Sequence, residues 1–193
     1  FDQDAIFANE ARATVVRLQG GGTEEIEVWK RIVEATRNEY QPIYQRLNVR
    51  LNHNDERGES FYNPFLPDIV ETLRQKNLAR ESEGAVAVFI DGDEKPPVIV
   101  EKTGGGYLYA TTDLAAINYR VHTLHADRIV YTHDSRQAQH FDQVFRIAMK
   151  AGFAQADTKL EYAPFGTMLG ADGKPFKTRS GDTVKLLSLI HIS

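Results

Sequence analysis

Three short segments of the sequence carry side chains that could do chemistry, and each follows an apolar run. The first is Tyr-Ala-Thr-Thr-Asp at residues 109–113. If Tyr109 ends a strand, Asp113 lies in the first turn of the next helix, where the helix dipole stabilises a carboxylate. A fixed carboxylate beside an aromatic hydroxyl suits a guanidinium, which binds carboxylates through two parallel hydrogen bonds. The alternative is a simple first-turn acid and a core tyrosine.

The second segment is His-Asp-Ser-Arg-Gln at residues 133–137, with His140 one turn further along. Ser135 is predicted to cap a helix. Gln137 would then point from the first turn of that helix towards the same edge of the sheet as Asp113. A neutral amide can hydrogen-bond an ammonium or guanidinium group. An ordinary, partly buried helix histidine is the alternative for His140. No metal site is expected, because the two histidines lack a third ligand at suitable spacing.

The third segment is a glycine-rich loop from Gly170 to Gly181 that contains the cations Lys174, Lys177 and Arg179. Cations among glycines can close over a polyphosphate and stabilise the charge that builds up in phosphoryl or adenylyl transfer. The loop is not a Walker loop, because the spacing GxxxxGK[ST] is absent. A solvated basic surface loop is the alternative interpretation.

The elements around these segments predict an α/β fold. After residue 85, two β-branched runs around a turn-rich stretch predict a hairpin. Strand-like runs at 107–110, 128–132 and 160–165 then alternate with helical patterns, and Gly152 is the predicted end of the second helix. This order is typical of a parallel sheet with crossover helices, in which ligands bind beyond the carboxyl ends of the strands.

The first part of the chain is predicted to be mainly helical. Helical spacing of apolar residues leads up to the triple glycine at 20–22, which should stop the first helix. Thr23 is the predicted cap of a second helix, and Pro42 is expected to kink or interrupt it. The pair Asn63-Pro64 predicts the cap and first residue of a third helix.

The composition indicates a folded domain. Of 193 residues, 41% are hydrophobic and 26% charged, which is ordinary for a globular protein and argues against disorder. The net charge of −4 argues against non-specific coating of nucleic acid. No stretch approaches the ~20 apolar residues of a membrane helix. Cysteine is absent, which excludes disulfides and fits the cytosol. Because Phe1 is not an initiator, the true start is expected upstream.

Several runs resemble one enzyme family when they are taken together. GGGYLYATTDLAAINYR, HADRIVYTHDSRQAQH and APFGTMLGADGKPFKTRSG are similar to the second half of the class I catalytic domain of arginyl-tRNA synthetases. The earlier runs RLNV and RGESFYNPFLP fit the same family. The resemblance covers residues 1–186, and its motifs are specific in combination although each is weak alone.

The resemblance implies a fold and a reaction. Residues 1–84 would be a mainly helical part, and residues 85–186 a hairpin plus the second half of a Rossmann-like nucleotide-binding domain. Arginine would attack the α-phosphate of ATP to give arginyl-adenylate and pyrophosphate, and the arginyl group would then pass to tRNA. The implied partners are arginine, ATP with Mg²⁺, and tRNA. The implied enzyme is cytoplasmic, monomeric when complete, and has neither its own metal site nor a membrane association.

The resemblance also implies roles for the residues of the three segments. Tyr109, Asp113 and Gln137 would hold arginine, with Asp113 facing the guanidinium. The residues implied to lie near ATP are His140, Phe165, Gly166 and Met168. Lys174, Lys177 and Arg179 would carry catalysis, with Lys177 or Arg179 stabilising the transition state. Phe-Lys-Thr-Arg-Ser at 176–180 departs from the class signature Lys-Met-Ser-Lys-Ser.

Two further parts of the family are expected outside this chain. A His-Ile-Gly-His signature should lie upstream and a helical anticodon-binding domain downstream, so the chain is expected to be a fragment that is inactive alone. The tail at residues 187–193 departs from the acidic helix of the family and is interpreted as non-native adaptor or vector sequence. Another class I aminoacyl-tRNA synthetase, or a silent nucleotide- or tRNA-associated binding module derived from this fold, remains an alternative.

Overall fold

The computed structural model of the chain describes residues 4–166 and, beyond them, only Leu169 and Gly173. The described residues fall into two compact units, and the boundary lies between Glu56 and Arg57.

The first unit contains two helices, α1 (Ala5–Gln19) and α2 (Thr23–Arg46), which are joined by the glycine turn as predicted. Gly22 precedes α2, so Thr23 is its first residue and not its cap. The predicted interruption at Pro42 is absent, since α2 continues to Arg46. Proline removes only one backbone N–H, and the four residues that follow it keep the helical conformation.

The segment after α2 is held to the helix by a charged cluster. The guanidinium of Arg37 donates from Nε and Nη2 to the Glu56 carboxylate, at 2.8 and 2.7 Å, and the Tyr40 hydroxyl also donates to it. The Arg37 guanidinium holds the pKa of the Glu56 carboxyl below its usual range. Between the end of α2 and Glu56, Asn52 caps the short 3-10 helix His53–Asp55.

The second unit opens with a 3-10 helix, Glu59–Phe65, which leads into α3 (Leu66–Gln75). The predicted helix start at Asn63-Pro64 is therefore wrong, because both residues lie in the 3-10 helix. Pro64 and Pro67 both have a fixed φ that suits the first turn of a helix. Pro67 is the one that lies in the first turn of α3. One face of α3 is buried through Leu66, Ile69, Val70 and Leu73.

An antiparallel sheet follows, with β1 (Ala79–Ser82), β2 (Ala85–Val88) and β3 (Val98–Glu101) in that order. The pairing of β2 with β3 confirms the predicted hairpin. The sequence did not predict β1, whose residues Ala-Arg-Glu-Ser are polar after the first. A two-residue turn, Glu83-Gly84, joins β1 to β2 with φ of 52° and 78°. Two positive φ values suit the right-handed twist of a tight hairpin.

The rest of the unit contains α4 (Tyr109–His122), β4 (Arg128–Asp134), α5 (Ala138–Ala151) and β5 (Lys159–Phe165). β4 and β5 pair in parallel, and α5 forms the connection between them, which confirms a parallel pair with a helical crossover. α5 ends at Gly152 as predicted, where φ is 74°. No helix among the described residues is long and apolar enough to cross a membrane.

The core of the second unit is centred on α4. This helix packs against α3, β3 and α5. Leu114 and Ile117 of α4 are fully buried, together with Leu73, Val100, Val144 and Ile147 from those three neighbours. Helix α4 is therefore fixed by apolar packing on several sides, and it carries one of the three chemical segments.

We expect Leu114→Ala to destabilise the chain by about 2–5 kcal/mol, because it removes a fully buried side chain and leaves a cavity. Leu124→Ala is the matched control, since Leu124 is exposed and its loss should change the free energy of unfolding by less than about 0.5 kcal/mol. Urea denaturation of both variants measures the difference. Equal losses would contradict the central position of α4 in the core.

Candidate functional site

The segment 109–113 lies at the start of α4, and its local structure differs from the prediction. Residue 107 makes only a single bridge to Glu101, so no strand ends at Tyr109, which is instead the first residue of the helix. Asp113 is one turn further along and lies outside the first turn. The predicted stabilisation of its carboxylate by the helix dipole therefore does not apply. Tyr109 is 70% exposed, which rules out the core alternative. The two residues are four apart and so lie on one face of α4.

Asp113 makes a side-chain contact with the next helix. Its Oδ2 lies 2.7 Å from Nε2 of His140, in the first turn of α5. The side chain of Asp113 is 26% exposed and that of His140 is 32% exposed. The Asp113 side chain is thus held by one contact and is still partly exposed. It is not buried in the helix–helix contact.

The second segment lies at the carboxyl edge of the parallel strands. β4 and β5 end together, with Asp134 paired to Phe165. Residues 135–137 form a 3-10 helix that Asp134 caps by accepting from the Arg136 N–H at 2.9 Å, so the predicted cap role of Ser135 is wrong. Gln137 is exposed and directly precedes α5, while Gly166 directly follows β5.

The edge therefore collects residues from two places in the sequence. Gln137, Phe165 and Gly166 lie at it, and His140 follows in the first turn of α5. His140 then connects this edge to Asp113 on α4. The parallel register brings the end of β4 beside the end of β5, whereas the contact between Asp113 and His140 comes from the packing of α4 against α5.

An aromatic cluster lies directly next to His140. The ring of Phe141, which is almost fully buried, has centroids of Tyr131, His133 and Tyr162 at 4.8, 4.6 and 5.3 Å. Burial raises the pKa of the Tyr131 hydroxyl, so this group stays neutral and accepts a hydrogen bond from Nη1 of Arg120 at 2.6 Å. The cluster fixes the start of α5 against β4 and β5.

Four residues of the sequence analysis belong to the glycine-rich loop or to the nucleotide contacts beside it. Met168, Lys174, Lys177 and Arg179 lie outside the described residues.

Comparison with known proteins agrees with the family resemblance. The family model described as tRNA synthetases class I (R), catalytic domain, matches residues 1–192. The chain belongs to this family of arginyl-tRNA synthetases. Since the match includes almost every residue, the described helices and strands are part of that catalytic domain.

Relatives and solved structures of the family agree with this. The chain is 53% identical to an arginine–tRNA ligase of Cellvibrio japonicus over 98% of its own length, and 53% identical to that of Azotobacter vinelandii. It spans 34% of the length of each of these relatives. An arginyl-tRNA synthetase structure from Plasmodium falciparum is 28% identical, with a TM-score of 0.77 over 93% of this chain and 29% of that chain.

A more distant synthetase structure shares the fold. The arginyl-tRNA synthetase of Thermus thermophilus is 17% identical and gives a TM-score of 0.53 over 67% of this chain and 27% of its own. At this identity the likeness concerns the fold alone.

The contact between Asp113 and His140 was not predicted from the sequence. The two residues are 27 apart and were assigned to different ligands, and no spacing rule links helices that flank a strand. The only available signal was the complementarity of an acid and a histidine on neighbouring helices of a synthetase fold. Thr111, inside the same motif, was likewise given no role.

We expect the His140 ring to carry a proton on Nε2, because an ionised carboxylate can only accept a hydrogen bond. Nitrogen–proton correlation spectra of the chain report this tautomer. Asp113→Ala should shift the His140 signals and leave those of His122 unchanged, since the Nε2 of His122 faces the Gly152 carbonyl oxygen. A His140 ring whose Nε2 is unprotonated in the unaltered chain would contradict the contact.

Proposed function

We propose that this chain is the arginine- and ATP-binding part of an arginine–tRNA ligase. The observation that supports the proposal best is the partly exposed Asp113 side chain, held by His140 next to the carboxyl edge of two parallel strands. Family membership gives the reaction class, and because the chain spans about a third of its relatives, the complete activity belongs to a longer protein.

The proposed arginine site consists of Tyr109, Asp113 and Gln137. His140 contacts Oδ2 of Asp113 and leaves Oδ1 for a guanidinium, with the exposed ring of Tyr109 one turn away on the same helix face. Gln137 would add an uncharged amide from the strand edge. A carboxylate prefers a cationic, planar partner, so this arrangement favours arginine over neutral amino acids of similar length.

The proposed nucleotide site lies along the same edge. We assign β4, α5 and β5 to the second half of a Rossmann-like domain, in which ligands bind beyond the carboxyl ends of parallel strands. Phe165, Gly166 and Met168 would lie near ATP, together with His140. From that position, the contact of His140 with Asp113 would connect the two substrate sites.

The proposed chemistry is adenylation followed by transfer. The carboxylate of arginine attacks the α-phosphate of ATP and pyrophosphate leaves. The arginyl group then passes from the adenylate to the terminal ribose of tRNA, and AMP leaves. Mg²⁺ would accompany ATP and would supply positive charge next to its phosphates. Lys174, Lys177 and Arg179 would stabilise the negative charge that develops on the phosphates. We propose that the full-length enzyme acts as a monomer in the cytoplasm.

The first prediction for the full-length enzyme concerns Asp113→Asn, which keeps the shape of the side chain but removes its charge. We expect arginine to bind at least about tenfold more weakly, because a charge-assisted pair is replaced by a neutral hydrogen bond. ATP affinity should change little. Isothermal titration with each ligand measures both constants.

Citrulline sharpens this test, since it has nearly the shape of arginine without the charge. The unaltered enzyme should bind arginine far more tightly than citrulline, and Asp113→Asn should reduce that ratio. Equal weakening of arginine and ATP, or an unchanged ratio, would contradict a dedicated guanidinium role for Asp113.

The second prediction for the full-length enzyme concerns the loop. We expect Lys177→Ala or Arg179→Ala to lower the rate of adenylation more than the affinity for ATP, since interactions that strengthen in the transition state act on the rate. Lys159→Ala is the matched control, because this exposed lysine begins β5 at the opposite end of the strand. Pyrophosphate exchange with ATP, arginine and added tRNA measures the rates.

Either of two results would count against the proposal for the loop. If both variants change only the dissociation constant of ATP, the loop binds nucleotide without acting on the reaction. If the unaltered full-length enzyme shows no arginine-dependent exchange, the silent binding module is the better interpretation.

A further inference from the structure

We propose that Thr111 is a positioning residue, which sets the arginine site by tying the first turn of α4 to strand β3. This inference rests on the proposed function, because it concerns the same site. Thr111 lies in the middle of the segment 109–113, two residues after Tyr109 and two before Asp113.

The side chain of Thr111 makes one directed contact. Its hydroxyl donates to the backbone carbonyl oxygen of Val100 in β3 at 2.5 Å. The residue is fully buried, and apart from tyrosines it is the only polar residue in the buried core of the part of the chain that the structure describes. Burying a hydroxyl costs free energy unless a hydrogen bond compensates for its lost hydration, and the bond to Val100 supplies that compensation for Thr111.

Other helical threonines of the chain behave differently. The hydroxyls of Thr14, Thr36 and Thr72 donate to the carbonyl oxygen four residues earlier in their own helices. Such bonds connect a helix only to itself. The hydroxyl of Thr111 instead spans eleven residues and reaches a different element. Its contact therefore fixes where the helix lies relative to the sheet.

The geometry of the helix connects this contact to the site. Residues two apart point to nearly opposite faces of a helix. Thr111 thus faces inward to β3, while Tyr109 and Asp113 share the other face. Helix α4 also has no side-chain cap at its first residues.

Apolar packing fixes where α4 lies, but it has no direction and constrains the rotation of the helix less sharply than a hydrogen bond does. The hydrogen bond of Thr111 adds a directed constraint on the rotation that would move Asp113. Strand β3 is itself held by its antiparallel pairing with β2. The hairpin of β2 and β3 thereby helps to orient the carboxylate of Asp113 in the proposed arginine site.

Three variants of the full-length enzyme test the proposal. Thr111→Val keeps the branched shape and removes the donor, whereas Thr111→Ser keeps the donor and removes a methyl group. Ile117→Val is the matched control for lost stability, since it removes a methyl group from a fully buried position of the same helix. Titration with arginine and with ATP, and thermal unfolding, are measured for each variant.

We expect Thr111→Val to weaken arginine binding roughly fivefold or more, which corresponds to the loss of one hydrogen bond, with ATP binding unchanged. Thr111→Ser should restore arginine binding to within about twofold of the unaltered enzyme, and Ile117→Val should stay in the same range. If Thr111→Ser binds arginine as weakly as Thr111→Val, or if Ile117→Val weakens it equally, the role is general packing and the proposal is wrong.

A second readout separates this proposal from the proposed function. In the chain itself, Thr111→Val should shift the imidazole signals of His140, because Asp113 moves relative to α5, while Thr111→Ser should not. If the unaltered enzyme binds no arginine, the proposed function fails, and the His140 signals alone decide the positioning role. Unchanged His140 signals in Thr111→Val would overturn it.

Discussion

The second unit depends above all on the burial of helix α4. Its Leu114 and Ile117 are fully buried among side chains from α3, β3 and α5. Burying one large aliphatic side chain stabilises a fold by roughly 1.5–3 kcal/mol, which is more than any half-exposed polar contact supplies. The position of α4 is therefore decided by apolar area. Everything that α4 carries, including the first chemical segment, takes its approximate place from this packing.

The polar contacts contribute less free energy to stability than this apolar packing does. The pair of Asp113 and His140 is about a quarter to a third exposed, and such a pair contributes about 1 kcal/mol or less to stability. It cannot hold two helices together that packing would separate. What it can do is select one orientation of each side chain among several that the packing allows. The aromatic rings next to His140 hold the start of α5 against β4 and β5, and this limits the positions that the His140 side chain can take.

Sequence patterns predicted the features that depend on local or periodic signals. The parallel pair with its helix, the hairpin between β2 and β3, and the end of α5 at Gly152 are of this kind. Strand β1 was missed because its exposed residues are charged and because Glu-Gly is a weaker turn signal than Asn-Gly. Tyr109 was placed in a strand because its apolar run fits either structure when it is so short. The contact between α4 and α5 depends on tertiary packing, which no local pattern encodes.

The proposed arginine site raises the question of whether the substrate must displace His140 from Asp113. A carboxylate offers about four acceptor positions on its two oxygens, and the imidazole occupies one of them. A guanidinium that approaches Oδ1 from the exposed side can still use the second position on Oδ2. The contact can thus persist when arginine is bound, and His140 then gains a fixed orientation at the edge where the nucleotide would lie. On this argument the pair would connect the two proposed sites, and arginine would not have to break the contact in order to bind.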